Sequence, residues 1–368
     1  MTHSIINKNK LFLGLAFFLL GLGGIFWFVL SASLPQYSGS AKLSSLTQAV
    51  RVDRDALGMA TVQAMNRVDL TQALGYVHAQ ERFFEMDLMR RSAAGELAEL
   101  FGKAALPKDR QIRKHRMRPR AKNMFDNLPE DQRALIESYR KGVNAGLAAL
   151  PIQSFPYLLI RERPVPWQNE DTLLVILAMY FTLQESSLDR ELQLSALQTA
   201  LPASVYQFLT ASGGDWDAPL IGIPLKWPQL PSKEEFNFQA YAHLPIMEQD
   251  RLELHDEAPG SNSFAVSGSL TDGAALIAND MHLSLRVPNI WFRTRLIYPH
   301  PNKAGINVAV SGVTLPGVPA IVVGSNGNVA WSFTNSYIDV ADWVRVVRHP
   351  KHSTRYLSDG DWKSMESF

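Results

Sequence analysis

The periodicity of this chain passes from mainly helical to strand-like, and that change limits what it can fold into. Before Ser261 apolar residues recur mainly at helical spacing; after it they fall into short, β-branched, turn-bounded runs. "LTQALGYVHAQERFFEMDLMRRSAAGELAELFG" reads as one helix that stops at Gly102, with Asp69 as its cap and Gln72 as the capping-box partner. Leu135, Tyr139, Val143 and Leu147 make an i, i+4 stripe on a second helix that starts at Pro129. Asn169 begins a third through "TLLVILAMYFTLQ", and "RELQLSALQTAL" a fourth that meets Pro202. Only "VRVDRDALGMATVQA", Val50 to Ala64, interrupts this half, as a strand pair turning near Leu57-Gly58. After Ser261 come "SFAVSG", a tight turn at Asp272-Gly273, "AALIA", "NIWFRTRLIY", "INVAVSG", "AIVVG", a second turn at Asn326-Gly327, "VAWSFT" and "DWVRVV". Helices first and strands later predict an α+β architecture with helix layered on sheet.

The segments divide accordingly. Residues 1–10 are a cytoplasmic flank, and 11–34 an uncharged run, "LFLGLAFFLLGLGGIFWFVLSASL", behind Lys8 and Lys10. A bilayer core needs about 20 apolar residues, and the lysines predict the N-terminus inside and the bulk outside. An uncleaved anchor, a signal segment cut near Ser31 and Ser33, and a buried helix are the three readings. The first two export the rest of the chain to the periplasm or another extracytoplasmic space, with the anchor holding it at the inner membrane. Residues 35–212 form the mainly helical region behind a Ser-, Gly- and Gln-rich linker at 35–50. Residues 213–260, with recurrent proline and charged clusters, form a connecting segment. Residues 261–368 are strand-rich.

Composition closes several routes. The 368 residues contain no cysteine, which excludes disulfides and thiol catalysis, and a net charge of +1 gives no global attraction to nucleic acid. "KDRQIRKHRMRPRAK", Lys108 to Lys122, is basic but carries no interleaved aromatics, so a solvated face is favoured over nucleic-acid or lipid binding. No H-E-x-x-H pair occurs, and His349 with His352 lacks a nearby third ligand. "DVAD" sets Asp339 and Asp342 three apart, as a surface turn or as oxygen donors to a hard cation.

No G-x-S-x-G elbow is present. Ser261 instead follows Gly260 at the head of a strand-like run, in "EAPGSNSFAVSGSLTDG". A capping or buried serine is the ordinary reading. The other is that the Gly260–Ser261 bond is cut. The new α-amino group, with a pKa of roughly 7.7–8.0, then serves as the base for the adjacent hydroxyl. Glycine before the serine would permit a strained turn there.

Three separated stretches resemble one family. "GYVHAQERFFEMDLMRRSAAGELAELFG" is similar to the signature helix of the penicillin acylase family of N-terminal-nucleophile hydrolases. "GSNSFAVSGSLTDGAALIANDMHL" resembles the start of that family's β subunit, and "GVTLPGVPAIVVGSNGNVAWSFTNSYIDVADW" its following strands. The resemblance implies an αββα sandwich, incomplete at its C-terminus. It also implies a zymogen that matures by self-processing at Gly260–Ser261 into an α/β heterodimer, and hydrolysis of a small N-acyl amide. Ser261 matches the nucleophile, followed by Asn262. Asn335 matches the residue whose backbone N–H joins the oxyanion hole, and His282 a position close to the nucleophile. Glu191, Asp339, the Ala341 carbonyl and Asp342 match the ligands of one structural calcium ion. Thr182 and Leu183 stand where some members carry an arginine–phenylalanine pair. That departure admits a linear aliphatic acyl chain, as in the family's acyl-homoserine lactone acylases, alongside an aromatic one. The side-chain oxyanion asparagine and its neighbouring arginine normally lie further downstream than Phe368. The expectation is therefore that residues 1–368 alone are not a competent acylase; the alternative to an enzyme is a non-catalytic remnant.

Overall fold

The computed structural model describes residues 8–367 apart from 218, 220, 238, 240–259, 284, 337–339 and 341. The described residues form two compact units, one of residues 1–182 and 259–335 and one of 183–258 and 336–368.

The first unit begins with α1 (Lys8–Ala32). Phe12–Ala32 has a mean hydropathy of 2.3, and none of its apolar window is buried, which removes the reading of a buried globular helix. A membrane anchor and a signal segment both fit a helix of this kind. The linker that follows is held down: Thr47 and Gln48 donate backbone N–H bonds to the Asp69 carboxylate at 3.0 and 3.1 Å, and the Thr47 hydroxyl adds one at 2.6 Å. Asp69 therefore does not cap the helix. The cap is Asn66, whose side chain accepts from Asp69 N at 2.7 Å, three residues earlier than the sequence reading placed it. Burial pushes the Asp69 carboxyl up. The bonds from Thr47, Asn66 and Gln48 outweigh it and hold the group below the usual carboxylate range.

Helix α2 (Arg67–Ala94) stops at Gly95, short of the expected Gly102. Gly95 has φ 69°, and its N–H returns to the Arg91 carbonyl, so this left-handed glycine ends the helix. Short helices α3 (Ala98–Phe101), α4 (Leu106–Arg113) and α5 (Met117–Asp126) follow. They carry the basic run. Arg110, Lys114 and Arg120 are exposed as expected, whereas Arg118 is half-buried and paired with Glu96 and Asp171. Helix α6 (Glu130–Ala148) starts after Pro129 and lies against α2. Their approach is so close that a Cβ on Gly142 would sit 1.8 Å from the Gln72 carbonyl oxygen. After α7 (Phe155–Ile160), the two helices expected from Asn169 onward are one, α8 (Asn169–Ala200), because neither glycine nor proline occurs in it to break it.

The strand half supplies the sheet that α2 packs on. The antiparallel pair β1 (Arg51–Arg54) and β2 (Ala60–Gln63) turns at Gly58, as the alternation predicted. A two-stranded ribbon pairs β3 (Gly260–Val266) with β4 (Leu276–His282). Then come β5 (Phe292–Pro299), β6 (Asn307–Thr314), β7 (Ile321–Ser325) and β8 (Ala330–Trp331). The open sheet runs β1-β2-β5-β6-β7-β8. Neighbours are antiparallel except β2 and β5, which are parallel and join the helical half to the strand half. Val62 and Leu296 from this pair meet Leu74, Phe83, Met86, Tyr139 and Trp167 from the helical region in the main core.

A buried histidine fastens helix to sheet. His78, on α2 and fully buried, bonds the Tyr139 hydroxyl through Nδ1 at 2.7 Å and Thr314 Oγ1 through Nε2 at 2.9 Å. Thr314 Oγ1 donates to the Phe292 carbonyl, so it accepts from His78; the imidazole is thus the neutral Nε2–H tautomer and Nδ1 accepts from Tyr139. Burial, with the Arg82 charge, lowers the His78 pKa to about 3. The folded state keeps the ring neutral where an unfolded chain, with a histidine pKa near 6.5, would bind a proton. The contribution of His78 is therefore complete above about pH 6.5 and declines as pH falls toward about 3. We expect the midpoint of thermal unfolding to drop between about pH 7 and pH 4, and His78→Gln to flatten that part of the profile. A slope unchanged in the variant would show that other groups carry it.

The second unit, described by itself, contains the C-terminal part of α8, α9 (Ala203–Leu209) and a hairpin of β9 (Arg355–Ser358) with β10 (Asp361–Ser364). Asp359 and Gly360, at φ 55° and 85°, give the two-residue left-handed turn that a tight hairpin needs. The connecting segment is irregular where it is described, and 240–259 lie outside the described residues.

Candidate functional site

Ser261 is the second residue of β3, paired with Met281 of β4. Gly260 is the first, paired with His282, so it is a strand residue here and not the turn that the sequence suggested. Side chains alternate along a strand. Ser261 and Ser263 therefore share one face of the ribbon with Asn279 and Met281, while Asn262, Asp280 and His282 share the other. The register places His282 one pair from the nucleophile candidate, but its ring lies on the opposite face. There its Nε2 bonds Asp280 Oδ2 at 2.8 Å. A Cβ on Gly260 would come within 3.1 Å of His282 Nδ1, so glycine lets that ring pack over the Gly260–Ser261 junction.

The second component arrives from the large sheet. β8 pairs with β7 at Gly324↔Trp331 and Ser325↔Ala330, and Trp331 Nε1 donates to the Ile321 carbonyl at 3.3 Å. The chain then leaves the sheet and runs past the ribbon. At its end the backbone N–H of Asn335 donates to Ser261 Oγ at 2.9 Å. These two residues were singled out from the sequence 74 positions apart, and the fold brings them into hydrogen-bond contact.

Three further polar groups line the same crossing, and the sequence reading passed over them. Ser263 Oγ lies 2.6 Å from Ser332 Oγ. Asn279 Nδ2 donates to the carbonyls of Asn262 at 3.0 Å and Phe333 at 3.1 Å. The signal for Ser263 was available, since it stands two residues after Ser261 and so on its face. Nothing in the sequence alone identifies Asn279 or Ser332, whose relevance depends on which strands pair.

Of the candidate calcium ligands, Asp339 and Ala341 lie outside the described residues. Glu191 is half-buried on α8 and Asp342 is exposed, both in the second unit. Among the described residues no group of three His, Cys, Asp or Glu side chains is placed to hold a metal ion. The rings of His349 and His352 have centroids 4.8 Å apart, and His349 packs edge-on against Trp362 at 4.6 Å.

Comparison with known proteins covers this whole arrangement. The family model for penicillin amidase matches residues 49–368. The acyl-homoserine lactone acylase QuiP of Pseudomonas aeruginosa is 31% identical over 343 residues, 90% of this chain and 38% of that protein. The penicillin acylase 2 proenzyme of a Pseudomonas species is 30% identical over 325 residues, 85% of this chain and 39% of that protein. The chain thus spans about two fifths of the length of the curated relatives it matches. A solved thermostable penicillin G acylase from Alcaligenes faecalis aligns with 49% of this chain and 100% of its own at a TM-score of 0.44 and 23% identity, too distant to bear on the argument. The family match takes in the signature helix, the Gly260–Ser261 strand and the Asn335 segment together, and by it the chain belongs to the penicillin amidase family of N-terminal-nucleophile hydrolases.

Proposed function

We propose that the protein is a self-processing amide hydrolase whose nucleophile is Ser261. The observation that carries this reading is the 2.9 Å bond from the Asn335 N–H to Ser261 Oγ, inside the matched span. In maturation the hydroxyl oxygen attacks the Gly260 carbonyl carbon and the bond to the Ser261 nitrogen breaks. The hydroxyl proton passes to that nitrogen, which becomes a free amine, and water then hydrolyses the resulting ester, releasing a carboxylate on Gly260 and restoring the Ser261 hydroxyl. That amine is the base for the next step, directly or through one water. Ser261 attacks the substrate carbonyl, the amine product leaves with the proton, and water cleaves the acyl-enzyme. A donor already on the attacking oxygen lies close to where the oxyanion develops on the adjacent carbonyl, and such a donor contributes roughly 10²–10³ in rate. His282, packed over the scissile junction, belongs in this reading to the surroundings of cleavage.

The substrate class is a small N-acyl amide, such as an acyl-homoserine lactone or a β-lactam side chain. Both chemistries appear in the names of the relatives. The mature protein is an α/β heterodimer in an αββα sandwich, exported by α1 and active outside the cytoplasm. Intact mass of the protein expressed from its complete reading frame tests processing: two chains that part between Gly260 and Ser261 are expected. Release of amine from fatty-acyl and phenylacetyl amides tests the activity. An unprocessed chain inert on both would support a remnant instead.

Calcium belongs to the same proposal. Glu191, Asp339, the Ala341 carbonyl and Asp342 are all oxygen donors, as a hard cation requires, and together they would hold one structural ion. Asp342→Ala is expected to lower maturation or thermal stability while leaving the preference among acyl groups unchanged. Metal analysis of the folded, processed protein that finds no calcium would remove the site.

A further inference from the structure

We infer that Asn279 is a positioning residue that sets the distance between the nucleophilic oxygen and its amide donor; this rests on the reading of Ser261 above. Asn279 lies on β4 opposite Ser263, on the face that Ser261 shares. A single –NH₂ group donates to two backbones, at 3.0 Å to the Asn262 carbonyl and at 3.1 Å to the Phe333 carbonyl. The first acceptor belongs to the residue directly after Ser261. The second lies two residues before Asn335. Those are the two stretches whose separation decides whether the Asn335 N–H reaches Ser261 Oγ.

The β3–β4 ladder cannot set this separation, because it binds the two strands to each other and not to the segment 332–335. The Ser263–Ser332 contact also crosses, but it is a single bond between two hydroxyls, and Ser263 Oγ is shared with the Ala278 carbonyl of β4 at 3.2 Å. The amide is planar, and its two hydrogens point in fixed directions. Both neighbours are carbonyl oxygens, so the nitrogen end of the side chain must face them. The other end takes no part in the crossing: Asn279 Oδ1 is buried and has no hydrogen-bond partner among the described residues. Leaving an acceptor unsatisfied is unfavourable, and an aspartate of the same shape would turn two attractive contacts into repulsive ones. The side chain is thus used for its donors.

The test uses the protein expressed from its complete reading frame, with Asn279→Asp and Asn279→Ala beside the parent and Ser261→Ala. Hydrogen exchange at peptides covering 332–336 is compared with exchange in β5 and β6 as an internal reference. Loss of the amide should accelerate exchange at the Asn335 amide by about tenfold, the scale of one hydrogen bond, with β5 and β6 unchanged. In the processed enzyme, kcat should fall by about 10²-fold with KM little altered, because the misplaced donor acts on the transition state. Wild-type exchange and wild-type kcat in both variants would overturn the inference. So would acceleration spread equally over β5 and β6, which would mark Asn279 as a general stabiliser. Local acceleration at 332–336, together with full amide hydrolysis by Ser261→Ala, would uphold the positioning role and sink the nucleophile reading instead.

Discussion

Ser261→Ala should give a single uncut chain with no amide hydrolysis above background. The hydroxyl is the only group of Ser261 that can attack the Gly260 carbonyl, and without that cut the amine that would act as base stays locked in a peptide bond. Both the nucleophile and its base are lost through one oxygen atom, so the expected loss in turnover is on the order of 10⁴-fold or more. The fold should survive. Ser261 is half-buried at the start of a two-stranded ribbon, and removing its Oγ leaves the Asn335 N–H without this one acceptor. Ser263→Ala is the control, since it alters the same face of the same strand but leaves the attacking oxygen in place. It should still be cut between Gly260 and Ser261. Efficient turnover by Ser261→Ala, measured as amine release, would remove Ser261 from the mechanism.

The largest expected loss of stability comes from Asp87→Ala. Asp87 is completely buried on α2, and it accepts from Arg90 Nε at 2.7 Å, Arg91 Nε at 2.8 Å and the Tyr157 hydroxyl at 2.6 Å. Arg90 also reaches Asp171 at 2.5 Å and the Val165 carbonyl at 2.7 Å, and Arg118 completes Asp171 from α5 at 2.8 Å. Burial, and then the Asp87 charge, push the Tyr157 hydroxyl above the ordinary phenol range, so it stays protonated and donates. Removing Asp87 takes the shared carboxylate from two arginines that are nearly inaccessible to water, so that among the described residues Arg90 keeps only Asp171, and Arg91 only Glu99, as a carboxylate partner. Breaking a buried pair in this way costs about 3–5 kcal/mol. Tyr157→Phe removes one bond to the same carboxylate and should cost about 1.5–3 kcal/mol. Denaturant unfolding of the two variants, with parent protein, reads both numbers. Equal and small effects would mean that the network relaxes or admits water.

Much of the fold was legible because it follows from local rules. The i, i+4 stripe of Leu135, Tyr139, Val143 and Leu147 marked α6, and Pro129 marked its start. Gly58, Gly273 and Gly327, all at positive φ, lie where turns were read between strands. Two of the errors were also local and share one cause: alternative signals compete at helix ends. Asn66 took the cap from Asp69, whose carboxylate was drawn off by Thr47 and Gln48 of the preceding linker. Gly95 ended α2 before Gly102 could.

By itself the sequence determined the α+β class, the apolar N-terminal helix and the singling out of Ser261 and Asn335. The helical and strand periods are written in neighbouring residues, and the two site positions stood out through the resemblance of their motifs. The tertiary structure alone decided what those residues touch. Strand alternation and the β3–β4 register put Asn279 on the face of Ser261 and His282 on the other. The route of the chain out of β8 brought the Asn335 N–H to Ser261 Oγ. The packing of α2 on α6 and β6 enclosed His78 between Tyr139 and Thr314, 61 and 236 residues away. Contacts over such separations depend on which elements pair and in what register, and no local pattern of residue types records that choice.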